Sequence, residues 1–117
     1  MNIQINKHQL ERVVIKWINK HLGNLTPKKH KDFPNVVFYV DSSNNVILQY
    51  IKLNEYVYIH YGDIWSHLEN IFHIGHNDAK SIIEVWLEDT YKLKGVRPIS
   101  NSKASIFNWE ELTNFND

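Results

Sequence analysis

Two short polar connectors constrain this chain more than any other feature. Ser42-Ser43-Asn44-Asn45 links a run of strand character, Val36 to Asp41, to a second, Val46 to Ile51; Lys52 to Glu55 links the second to a third, Tyr56 to Tyr61. All three runs are rich in Val, Ile and Tyr, residues that suit a pleated, half-buried surface. A parallel crossover needs a dozen or more residues, so links this short force each run antiparallel to the next. A three-stranded meander is therefore expected.

On both sides of the meander the apolar spacing becomes helical. Leu10, Val13, Val14, Trp17, Ile18 and Leu22 predict a first helix over 7–22, with Asn6 and Gln9 as cap and third residue and Gly23 as the stop. Leu25 to Pro34 carries two prolines and no periodicity, and reads as a basic loop. Asp63 is placed to cap a short helix ending near Phe72, with Ile64, Leu68 and Ile71 as its apolar row and Gly75 as its breaker. Asn77 is expected to cap a longer helix running to about Lys94, ahead of Gly95. Pro98 to Ser105 reads as a polar connector, and Asn108 with Glu111 as a capping box for a last short helix bearing Trp109, Leu112 and Phe115. The expected fold is one α+β domain over residues 1–117, in the order α-β-β-β-α-α. In it a three-stranded antiparallel meander packs on helices, and residues 98–117 form a connector plus a docked helical tail. Trp17, Trp65, Trp86 and Trp109 are read as core.

The chain has 117 residues and no cysteine, which excludes a disulfide scaffold, a thiolate metal site and a cysteine nucleophile. Met1 to Lys7 lacks a basic segment followed by an apolar run, and no apolar stretch approaches ~20 residues, so no secretion signal or membrane span is expected and the location is read as cytoplasmic. Net charge is zero, but it is unevenly spread. Residues 1–40 hold seven Lys or Arg and two acids, whereas residues 41–117 hold six and eleven. Such asymmetry points either to an anionic partner or to one half neutralising the other, for instance through Glu84 and Glu88.

Catalytic patterns are sparse. Seven histidines are present, four of them clustered as His60, His67, His73 and His76 near Asp63, which raises a histidine-based metal hydrolase as one alternative. A helix from Asp63 to Phe72 would be about 14 Å long, so one ion cannot serve both of its ends. Neither surviving subset matches a metal-ligand signature. The sequence has no Gly-rich phosphate loop, no Gly-x-Ser-x-Gly and no His-Glu-x-x-His. No catalytic residue, cofactor or metal is assigned.

Two surfaces carry the functional expectation. The first is basic: Arg12, Lys16 and Lys20 recur at i,i+4 opposite the apolar stripe and are joined by Lys28, Lys29 and Lys31, an anion- or nucleic-acid-binding set if they share one side of the domain. The second is the sheet face away from the helices. If Val36, Phe38, Val40, Val57, Ile59 and Tyr61 face the helices, then Tyr39, Gln49, Tyr56, Tyr58 and His60 lie on the other face, together with Val37 and Ile47, as a partner-binding or homodimer surface.

The order helix, three-stranded meander, helix resembles that of double-stranded RNA-binding domains. His76-Asn77-Asp78-Ala79-Lys80 keeps only Ala79 and Lys80 of the lysine-rich cluster that opens that family's last helix, and membership is not assigned. A helix-turn-helix over Asp63 to Lys94 would turn Asp78, Glu84, Glu88 and Asp89 towards phosphates, the wrong charge for a major groove. The expectation is a small non-enzymatic interaction protein with a macromolecular partner, protein ahead of nucleic acid and without a membrane. A sequence-nonspecific, RNA-biased binder is the alternative.

Overall fold

The computed structural model describes residues 7–61, 63–100 and 107–114. They form a single α+β domain in the order α1 (Lys7–Leu22), β1 (Thr26–Lys29), β2 (Val36–Val40), β3 (Asn45–Ile51), β4 (Tyr56–Ile59), α2 (Ile64–Phe72), α3 (His76–Tyr91), β5 (Arg97–Ser100), β6 (Phe107–Asn108) and α4 (Trp109–Asn114). One mixed sheet runs β1-β2-β3-β4-β5, with β6 pairing β3. The meander β2-β3-β4 is antiparallel, as the short links require, with Phe38 opposite Gln49 and Gln49 opposite Tyr58.

Helices α1, α2 and α3 cover one face of the sheet. Val14, Ile18 and Leu22 of α1, Ile64 and Leu68 of α2, and Ile83, Trp86 and Leu87 of α3 pack with Val37, Tyr39, Leu48, Val57 and Ile59 into the main core. Trp86 is fully buried, and its ring N–H donates to Asn19 Oδ1 at 2.8 Å, so the one polar atom of that ring is satisfied where α3 meets α1. The opposite face is partly closed by the chain's own end, where Phe38, Val40 and Val46 pack beneath Phe107, Trp109 and Leu112.

That arrangement inverts the expected face of β2. Val37 and Tyr39 look towards the helices, whereas Val36, Phe38 and Val40 belong to the face covered by α4. The bulge between Tyr39 and Val40, where the pairing slips from Leu48 to Val46, places the extra residue, Ile47, in β3 and leaves the alternation along β2 unbroken. A run in which every residue is apolar is compatible with either face, so alternation alone cannot fix its register.

The expected basic loop contains a strand. Thr26–Lys29 pairs antiparallel with β2, and as an edge strand it tolerates Pro27 and two lysines, which also discourage further pairing. The expected connector likewise begins as β5, parallel to β4, because α2 and α3 supply the long crossover a parallel pair needs. The rest of that connector, 101–105, and Phe115 lie outside the described residues.

Helix ends follow the capping chemistry more closely than the glycines. Asp63 caps α2 by accepting from the Ser66 amide at 3.3 Å and hydroxyl at 2.7 Å, contacts that hold its carboxyl below the usual range. His73 ends α2 in the left-handed region, Gly75 rather than Asn77 is the N-cap of α3, and Lys92 ends α3 before Gly95. Gly23 is the stop it was expected to be: a Cβ there would stand 2.1 Å from the carbonyl oxygen of Asn19.

Candidate interaction surface

On α1 three i,i+4 rows run side by side. Val14, Ile18 and Leu22 are buried in the core; Val13, Trp17 and His21 form the next row; Arg12, Lys16 and Lys20 form the third and are exposed. The middle row is apolar yet incompletely covered. Val13 is 52% exposed, and Trp17 is only half-buried, stacked on His21 at 4.1 Å and meeting Phe72 of α2 edge-on at 6.3 Å. The His21 ring also bonds the Trp17 carbonyl oxygen at 2.9 Å through Nδ1, which fixes its stack. Val13, Lys16, Trp17, Asn19, Lys20 and Phe72 line an open depression of about 560 Å³.

Among the described residues, no carboxylate lies in ion-pair contact with the cations of the third row. Among the described residues the close charged contacts are His30 with Asp32 and His76 with Glu69, each at 3.9 Å, and neither involves a lysine or arginine. Glu84 and Glu88, the expected internal partners, are exposed on α3 and unpaired with α1.

The other three basic residues do not extend this row. Lys28 pairs with Phe38 and so lies on the sheet face away from α1, where its ammonium donates to Asn44 Oδ1 at 3.2 Å and stands 5.8 Å over the Trp109 ring. Lys29 pairs with Val37 at the sheet edge, and Lys29 and Lys31 are exposed. Four lysines and an arginine are open to solvent, but a six-charge patch on one side is not assembled.

The tyrosine surface is also divided. Tyr39 sits in the core at 6% exposure, 5.0 Å from the Tyr91 ring, and burial first, then the neighbouring Tyr50 and Tyr91, push its hydroxyl pKa up. His60 is buried on the outer face, its Nε2 3.2 Å from Gln49 Oε1 and its ring 5.4 Å from Phe107. Its Nδ1 has no hydrogen-bond partner among the described residues, and burial lowers its pKa. Gln49, Tyr56 and Tyr58 remain half-buried, with the two tyrosine rings edge-to-face at 6.3 Å. A homodimer through this face would have only that strip to use, because Phe38, Val40 and Val46 are covered by α4.

Among the described residues no three His, Asp or Glu side chains converge on a point where an ion could bind. No helix among them is long and apolar enough to cross a membrane. Comparison with protein-family models, with curated proteins and with solved structures finds no match.

Sequence reasoning treated Val13 and Trp17 as core and so missed the depression. A signal for it exists. Val13 and Leu22 lie about 180° apart on the helical wheel, and a single buried seam needs little more than ~100°. The surplus width has to meet either another element or solvent.

Proposed function

We propose that this protein is a non-enzymatic interaction module that binds a macromolecular partner, a protein rather than a nucleic acid, through the exposed side of α1 and the end of α2. One observation supports this reading above the rest: the half-exposed apolar row Val13–Trp17 lies directly beside three exposed cations that meet no carboxylate among the described residues. Exposed apolar surface rimmed by charge is a mark of partner sites, and the cations supply steering. Nucleic acid fits less well because Lys28 lies across the sheet from α1, bonded to Asn44 and over the Trp109 ring, so the six cations do not form one phosphate-binding row.

The test is capture from host-cell extract on immobilised protein, at two salt concentrations and with nuclease treatment. The expected outcome is a protein partner that survives nuclease and is lost with Val13→Ser or with Lys16→Glu/Lys20→Glu. Capture that is abolished by nuclease, or that ignores these substitutions, refutes the reading.

A further inference from the structure

We infer that the element recognised on this surface is an acidic amphipathic helix of a second protein. It lies along α1, its apolar side over Val13, Trp17 and Phe72 and its carboxylates over Arg12, Lys16 and Lys20. The inference rests on the interaction-module reading above and specifies its partner.

Three observations define the ligand. The first is charge: Arg12, Lys16 and Lys20 form a row of one sign, exposed and without a carboxylate from the described residues, so the complementary surface is anionic. The second is spacing. Each i,i+4 step advances about 6 Å along the axis, the same step that separates Glu side chains on one face of a facing helix. The third is the adjacency of the two rows. Val13 and Trp17 lie next to the cations around the same 16-residue helix, so a ligand that satisfies both must present acids and apolar groups as neighbouring stripes. An amphipathic helix in a groove does this with one element.

The competing occupants match only part of the surface. A phosphate backbone neutralises the cations but leaves Val13 and the Trp17 edge against a polar strand. A bilayer favours a convex apolar face, whereas Trp17 and Phe72 lie half-buried in a depression.

The experiment uses the whole chain and fluorescence anisotropy. The probe is a labelled synthetic helix of about 16 residues, matched to the ~24 Å of α1, with Glu on one i,i+4 row and Leu on the adjacent row. Comparison peptides carry Gln for every Glu, or Ser for every Leu. A single-stranded RNA of similar length and vesicles of phosphatidylserine with phosphatidylcholine serve as the other ligands. Val13 and the two lysines are exposed, so Val13→Ser and Lys16→Glu/Lys20→Glu leave the core intact.

The expected result is binding of the Glu/Leu helix that weakens about tenfold or more with charge reversal or with the Gln peptide. It also weakens severalfold with Val13→Ser or the Ser peptide, and with salt raised from ~50 to ~300 mM. Equal binding by all variants, tighter binding of RNA or vesicles, or no binding at ~1 mM peptide overturns the inference. If the synthetic helix fails while extract capture still depends on Val13 and Lys16, the partner chemistry is wrong and the module reading stands. If both fail, both are wrong.

Discussion

Replacing Trp109 with alanine should strip the outer layer from the sheet. Trp109 stands 5.4 Å from the Phe38 ring and 5.8 Å from that of His30, lies under the Lys28 ammonium, and donates its amide to the Asn44 carbonyl at 2.6 Å. A tryptophan buries roughly 150–250 Å². The lower figure suits a half-buried ring, and at ~25 cal/mol per Å² it gives nearly 4 kcal/mol, or about 3 kcal/mol after allowing for a compact unfolded chain. For a domain of this size that is a fall of about 10 °C in Tm. The truncation also uncovers Phe38, Val40 and Val46, which are 2%, 1% and 0% exposed, so binding of a hydrophobic dye should rise before the main transition. Thermal unfolding by circular dichroism, with dye fluorescence in parallel, measures both; Leu53→Ala, at a residue 80% exposed, is the control. A Tm within ~2 °C of wild type and unchanged dye binding would show that α4 adds nothing to the core, and would refute the reasoning.

Gly23→Ala places a Cβ against the Asn19 carbonyl and should cost about 2–4 kcal/mol in denaturant unfolding, whereas Gly75→Ala, with nothing within 4 Å, should cost only the poorer N-cap of α3, about 0.5–1 kcal/mol. A loss of under ~0.5 kcal/mol at Gly23 would contradict the clash. Stability should also depend on pH through His60. Burial lowers its folded pKa below the unfolded value of about 6.5, so the unfolded chain takes the proton first, and the contribution present above that value is lost as pH falls through and below it. His60→Phe should therefore lose less Tm than wild type between pH 7 and pH ~5. Parallel losses in the two proteins would assign the pH dependence to other groups.

The parts of the fold legible in the sequence are those fixed by local geometry. Four-residue links allow only an antiparallel meander, and the run Leu10 to Leu22 with Gly23 behind it sets the bounds of α1. Strands β1 and β5 were hidden because Thr-Pro-Lys-Lys and Arg-Pro-Ile-Ser have neither alternation nor strong strand propensity; each exists because a neighbouring strand offers an open edge. The face of β2 was undecidable for a different reason. Val36-Val37-Phe38-Tyr39-Val40 is apolar throughout, and only the tail packing on Phe38 and Val40 makes both faces buried. That same packing takes Lys28 out of the basic row and leaves Tyr39 in the core. The candidate surface is legible as charge, in Arg12, Lys16 and Lys20, but its apolar half reads as core, because periodicity reports an apolar stripe without reporting how much of it a neighbour covers.

The most direct measurement is the stability of Lys16→Glu/Lys20→Glu set beside its binding. If these lysines form a recognition surface with no internal partner, the variant keeps the wild-type Tm within ~1 °C while losing the partner captured by the wild-type protein. A variant that melts several degrees lower while still capturing that partner would make the cations structural, and would contradict the assignment of α1 as the binding face.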